Sequence, residues 1–397
     1  VKRAIFHILF VISCSLPLCV FAQRAEVDFN FCGDNISFSY DSSGFVDYTA
    51  LLSPGSIAAF YSKMENEKWQ EIITTLKNYQ TREKPDDWLY YQLVRRVAQK
   101  LSPKADNYIR YTLYKWYFMR KTGYDATLSV SKEKILFYVQ SDDAIYDIPV
   151  HTGFGKQYVC LNYHDYENID LETEKFTPVI IDDVTGAHSF SYKITHLPDF
   201  CEQDYKEKDL EFNYYNSEYK FKVKVNTEVK NLFANYPVTD YQAYFNMPLS
   251  NGTYATLIPA LKDYIKKMSQ REGVDYLMRF TRYAFLYETD CKNFGKEKRL
   301  SPEQTLLYDY SDCEDRSALF FYLVKEIYNL PMIVLAFPEH VTIAVKFDKP
   351  VGKPIVYQCE KYSVCEPTPQ KDDLSVGELL PELRKKKYEI VYAYQPK

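Results

Sequence analysis

The sequence predicts an α+β chain in which two units of one plan, helices first and strands after, flank a short β-rich middle. Three observations carry this. Apolar residues recur at helical spacing through 57–119 and again through 257–329. Each helical stretch gives way to short runs rich in β-branched and aromatic residues, which is strand chemistry. Between them, 166–232 alternates apolar and polar residues with turn residues separating the runs, as a small antiparallel β-domain does. The expected divisions are 1–22, 23–165, 166–232 and 233–397.

A chain of 397 residues has room for two to three cores. With 46% hydrophobic and 26% charged residues, it is neither a disordered chain nor a polytopic membrane protein. Tyr, at 38, buries a ring and keeps a hydroxyl wet, which suits packed sheets and amphipathic surfaces. A net charge of −5 leaves no electrostatic footprint for nucleic acid. The basic run Arg384–Lys387 is balanced by Glu382 and Glu389 and reads as a solvated face.

Residues 1–22 read as a targeting segment. Lys2 and Arg3 precede an apolar run from Ala4 to Phe21, broken by Pro17, and Val20-Phe21-Ala22 has small residues at cleavage spacing. A membrane anchor and a lipoprotein box ending at Cys14 are the alternatives; no later stretch can span a bilayer. Export to the periplasm or cell surface follows. A hairpin is expected over 24–41, then helices over 57–79 and 88–101. Asp106 caps a third helix running to Met119 and stopped at Gly123. Strands follow at 126–130, 135–140, 144–150 and 158–162. In the middle come 176–181, 188–194, 211–215 and 219–225. Helices return at 257–268, 274–287 and 311–329, then strands at 332–337, 341–347, 355–358 and 362–366.

Setting Asp106–Gly123 beside Cys313–Leu330 at one constant offset aligns helix with helix and brings Ala126–Val130 onto Ile333–Phe337. The chain therefore reads as an internal duplication. Of nine cysteines, seven lie beyond the leader: Cys32, Cys160, Cys201, Cys291, Cys313, Cys359 and Cys365. Seven is odd, so at least one has no partner within the chain. Export would permit disulfides, and a stapled scaffold is one reading. No CxxC pair or neighbouring His builds a zinc site, and no metal or cofactor is expected.

The run Tyr310-Ser311-Asp312-Cys313-Glu314-Asp315-Arg316-Ser317 carries the chemistry. Ser311 or Asp312 can cap the helix, placing Cys313 in its first turn, where the dipole and free N–H groups favour a thiolate and can hold an oxyanion. Glu314 and Asp315 act against the thiolate, so a cationic partner is needed. His340 opens the strand Val341–Val345, sharing a face with Thr342 and Ala344, small enough to admit a helix end. Glu366, after the next long strand, can orient the imidazole; Asp348 is the rival.

These residues resemble the transglutaminase-like superfamily, a papain-like cysteine fold, and most closely its exported bacterial members. Its D-C-E-D-R segment matches Asp312–Arg316, its p-x-H strand Pro338-Glu339-His340, and its D-P-T segment Glu366-Pro367-Thr368. The resemblance, covering the last third of the chain, implies Cys313 as nucleophile, His340 as base and Glu366 as acid, where Asp is usual. Glu339 and Pro369 also depart from the family pattern. Gln304 is a candidate oxyanion donor. In the first copy, Asp106, Glu133 and Asn162 stand for the three, making residues 50–165 a non-catalytic copy with a structural or substrate-binding role. His151, His164, His188 and His196 read as surface or packing residues. The implied activity is attack of Cys313 on a peptide or carboxamide carbonyl through a thioester, resolved by water or an amine. Its partner is a peptide or protein substrate. A decayed module serving binding or envelope assembly is the alternative.

Overall fold

Gly33, at φ +95°, turns the chain between β1 (Arg24–Phe31) and β2 (Asp34–Asp41), which pair antiparallel. A Cβ there would lie 2.2 Å from the Asp199 carbonyl oxygen, so the close approach also requires glycine. The computed structural model describes residues 24–396 other than 154, 167, 168, 172, 183 and 296. The leader read at 1–22 lies outside the described residues.

The helical run expected over 57–79 is cut in two. α1 (Pro54–Met64) opens with a Ser53–Ser56 capping box, and α2 (Gln70–Glu83) follows a turn of 3-10 helix at 67–69. α3 (Asp87–Leu101) and α4 (Tyr108–Lys121) complete the first helical layer. Asn107, not Asp106, caps α4: its Oδ1 accepts the Arg110 N–H at 2.9 Å. The turn before it sets this, because the amides of Asp106 and Asn107 both close onto the Pro103 carbonyl.

Next come β3 (Ala126–Val130), β4 (Ile135–Gln140), the two-residue β5 (Ile145–Tyr146), β6 (Val150–Gly153), β7 (Lys156–Cys160) and β8 (Thr177–Val179). The first sheet has the order β6-β7-β4-β3-β8. The middle does not close into a sheet of its own. Its first run becomes edge strand β8 on β3. The segment 188–194 stays extended, tied to the Gly123 and Gln140 backbone through the His188 and Phe190 amides. Only β9 (Tyr205–Tyr214) and β10 (Ser217–Asn226) form the expected hairpin.

The second unit begins with α5 (Val229–Leu232), β11 (Val238–Thr239), which pairs with β5, and α6 (Tyr241–Phe245). α7 (Asn251–Ile265) and α8 (Gln270–Tyr283) pack under the β9–β10 hairpin, where Phe212 meets the rings of Tyr276 and Phe280. β12 (Leu286–Tyr287), α9 (Asp290–Phe294), α10 (Pro302–Leu307) and β13 (Tyr310–Ser311) lead to α11 (Cys313–Tyr328). Then β14 (Met332–Phe337), β15 (His340–Val345), β16 (Ile355–Tyr357), β17 (Glu360–Cys365) and β18 (Glu389–Tyr394) build the order β16-β17-β15-β14-β18. The sequence reading missed β18, the edge strand beyond the basic run.

The two five-stranded antiparallel sheets thus share one strand order, and in each a helix, α4 or α11, immediately precedes the strand pair β3–β4 or β14–β15. Core-facing residues match as well: Ile135, Phe137 and Val139 of β4 face the large core, as do Val341, Ile343 and Val345 of β15. Leu161 after β7 faces it as Cys365 of β17 does. On this register Lys134, not Glu133, stands at the place of His340, and Asn162 at that of Glu366. The helix starts put Tyr108, not Asp106, at the place of Cys313.

In the first unit these positions are filled by a structural network. Asn162 is fully buried; its Nδ2 donates to the Tyr108 hydroxyl (2.7 Å) and the Ile135 carbonyl (2.8 Å), and its Oδ1 accepts the Phe137 N–H (2.7 Å). Lys134 pairs with Glu174 at 2.6 Å. Asn162→Ala strands the buried Phe137 N–H, while the Ile135 carbonyl keeps the Tyr166 hydroxyl, so a loss of about 1–3 kcal/mol is expected in urea unfolding of the full chain.

Candidate active site

Asp312 ends the extended run and starts α11. Its Oδ1 accepts the amides of Glu314 (3.0 Å) and Asp315 (3.2 Å), and Asp315 Oδ2 answers on the Asp312 amide at 3.4 Å. Cys313 is therefore the first helical residue. The cap consumes the next two amides, and among the described residues the Cys313 N–H has no hydrogen-bond partner, which leaves it as the donor available to an oxyanion.

The rest of the D-C-E-D-R run is architecture. Asp315, fully buried, also accepts from the Leu300 amide (2.8 Å) and the Tyr244 hydroxyl (3.1 Å). Arg316, also fully buried, donates to the carbonyls of Thr281, Arg282 and Phe285 at the end of α8 and to that of Ser311.

Strand pairing explains where the sulfur rests. β15 bonds to β17 only over Ile343–Val345, so nearer its start the backbone is left to α11. There the Val341 N–H lies close enough to the Cys313 thiol to favour its ionised form, and the Val341 carbonyl accepts from Ser317 Oγ at 3.0 Å. α11 lies on the Val341–Ile343–Val345 face, not the Thr342–Ala344 face expected from residue size. The reason is volume: the branched side chains fill the space between helix and sheet, while Ala344 belongs to the smaller core behind it.

His340 and Glu366 do meet. His340 Nε2 lies 2.8 Å from Glu366 Oε2, with the carboxylate fully buried and the ring 12% exposed. Glu366 Oε1 accepts the Thr368 N–H at 2.9 Å, so the longer side chain spans the ring and its own loop. Arg282 fixes the backbone beneath, donating from Nε and Nη2 to the Glu366 carbonyl and from Nη1 to Asp373 and the Leu374 carbonyl. No hydrogen bond joins Cys313 Sγ to the ring; the thiol is near the amide next to His340 in the chain. With Nε2 engaged, Nδ1 is the nitrogen left for it.

The surroundings are acidic. Burial first, then Asp312 and Glu314, push the Cys313 thiol well up, and the Val341 N–H pulls the other way. Burial and Asp312 raise Glu314 to about 7 and Asp290 to about 7. Oxygen atoms of Asp290, Glu297 and Asp312 lie within 4.8 Å of one another, as do donor atoms of Asp312, Cys313 and Glu314. Arg299 Nη2 stands 3.9 Å from Glu314.

Asp348 is exposed in the turn after β15, away from the imidazole. Gln304 is buried, its Oε1 accepting the Ser301 N–H in the capping box of α10, which is a structural use of its side chain. The seven cysteines are free thiols. His151 lies against Tyr138 and Tyr158, His188 on Tyr124, and His164 and His196 beside Asp165 and Asp86. Sequence reading did not find Arg282, Asp290, Glu297 or Arg299, which reach the site from loops and a helix end without any local pattern. Among known proteins, no family model, no curated protein and no solved structure matches this chain.

Asp290 gives a pH prediction. Its folded pKa is raised, so its contribution is complete below the unfolded value and is lost as pH climbs to about 7 and beyond. Asp290→Asn removes that loss while an amide oxygen still accepts the Lys298 N–H. The variant should match wild-type Tm near pH 4 and exceed it at pH 8, measured by thermal unfolding across that range.

Proposed function

We propose that the chain is an exported cysteine hydrolase or acyltransferase of transglutaminase-like plan, acting on peptide or carboxamide bonds. The observation that carries this reading is the buried Glu366 carboxylate on His340 Nε2, one peptide away from a helix-start cysteine.

In this reading the substrate carbonyl oxygen takes the free Cys313 N–H. The thiol leaves the Val341 amide for His340 Nδ1, which accepts its proton as the sulfur attacks the carbonyl carbon. Glu366 holds the ring and stabilises the imidazolium. The ring then gives the proton to the departing amine or ammonia, leaving a thioester. Water, deprotonated by His340, releases the acid; an amine in its place gives a new amide. Export rests on the leader at 1–22.

A second reading, a binding or assembly module with a decayed triad, draws on the carboxylates that hold the thiol protonated and on its rest position at Val341. Mass spectrometry separates the two. Glutaminyl peptides are incubated with the mature chain, with and without a primary amine. Deamidated, amine-coupled or cleaved products that vanish with Cys313→Ala support the enzyme. An absence of any Cys313-dependent product supports the module.

A further inference from the structure

A cleft of about 390 Å³ lies beside the candidate active site, walled by Trp88, Tyr163, Tyr166, Tyr192 and Tyr236. The Tyr192 hydroxyl is buried without a hydrogen-bond partner. The ionisable groups on the described wall, beyond phenols and the buried Cys160, are Asp147, Glu297 and His164; Lys and Arg are missing from it. Burial disfavours charge on His164, which stands 3.2 Å from Asp165. Aromatic rings with carboxylates at hand recognise organic cations.

Glu297 belongs to both places. It lines this cleft, and its carboxylate lies within 4.8 Å of Asp290 and Asp312. Asp312, Cys313 and Glu314 in turn hold their donor atoms within 4.8 Å of each other. Two such steps lead from the cleft to the sulfur. An extended peptide advances about 3.5 Å per residue, so a side chain seated here is two or three positions from an attacked carbonyl.

We propose that this cleft is a specificity subsite, supplied largely by the first unit, for a basic side chain, Arg or Lys, of the substrate peptide. It rests on the catalytic reading above and gives the non-catalytic unit a substrate-binding role. An acidic side chain would meet Glu297 and the carboxylates beyond it. A cation seated there also offsets the charges that hold the Cys313 thiol protonated.

The test is fluorescence polarisation on the full chain carrying Cys313→Ala, so that binding is read without turnover. The probes are fluorescein-labelled Ala-Ala-X-Ala-Gln-Ala-Ala and Ala-Ala-Gln-Ala-X-Ala-Ala, with X Arg, Phe or Glu. At least tenfold tighter binding of an Arg peptide than its Glu counterpart is expected, weakened by added salt. Glu297→Gln, at an exposed position, should remove most of that preference. Tyr163→Leu, which removes a half-buried ring, should weaken Arg binding without restoring Glu binding. Equal affinity for the three peptides, no binding of any, or a preference untouched by both variants overturns the subsite. Iodoacetamide labelling of wild-type Cys313 reports the catalytic reading separately. An inert thiol with charge-selective binding removes the enzyme and leaves the subsite; a reactive thiol with charge-blind binding does the reverse.

Discussion

His340→Ala slows alkylation of Cys313 by iodoacetamide at pH 7 at least tenfold, and turnover of any Cys313-dependent substrate by about 10³-fold or more. The thiolate is the species that reacts, and this thiol is disfavoured from ionising by burial and by Asp312 and Glu314. Only a base at hand can offset that. Without the imidazole, the remaining help is the Val341 N–H, and alkylation should climb with pH beyond the range of an ordinary cysteine. Glu366→Gln keeps the shape but removes the charge behind Nε2, so a smaller loss, still about tenfold or greater, is expected. Rates are read by mass spectrometry of the Cys313 peptide from pH 5 to 10. Equal rates for wild type and His340→Ala at every pH would remove the base from the mechanism and leave the binding module.

The three candidate residues were legible because each sits at a place that local rules mark: a capped helix start, a strand start and a strand end. The rules were less reliable one residue either way. Asp106 and Asn107 are both good caps, and only the turn on Pro103 decides between them. Glu133 and Lys134 sit in the same hairpin, and the burial of Ile135 fixes which of them faces as His340 does. The β-domain expected over 166–232 failed for a different reason. Alternation shows that a strand has one dry face but not which sheet supplies it, and β8 found its partner in β3. Glu314 was legible as an acidic neighbour of the thiol, but the share of Asp290 and Glu297 was not, because they reach Asp312 from the start of α9 and the loop after it.

The length of the Glu366 side chain has a physical use. A carboxylate one methylene longer is not slack here, since Thr368 takes one oxygen and His340 the other. The same side chain joins the ring to the loop that carries Asp373, and Asp373 is held in turn by Arg279 and Arg282. The acid is therefore positioned from two directions, by its own loop and from α8.

Arg316→Met is the substitution expected to cost most stability, about 3–5 kcal/mol, out of a total that is about 5–15 kcal/mol for a typical domain. The guanidinium is fully buried and donates to four carbonyls, three of which end α8 and have no continuing helix to bond. Methionine fills the volume but leaves the three at the end of α8 unsatisfied, each at about 1–3 kcal/mol, while the Ser311 carbonyl keeps the Glu288 amide. Lysine keeps a charge but not the planar fork, so Arg316→Lys should recover only part of the loss. Urea unfolding of the three proteins gives the ranking, wild type above Lys above Met. The site should suffer beyond the loss of stability. Arg316 bonds the Arg282 carbonyl, and the Arg282 side chain bonds the Glu366 carbonyl, so one run of contacts ties the helix of Cys313 to the acid behind His340. In Arg316→Lys held well below its Tm, alkylation of Cys313 should lose part of its dependence on His340. An alkylation profile identical to wild type in that folded variant would show that nucleophile and acid are positioned independently.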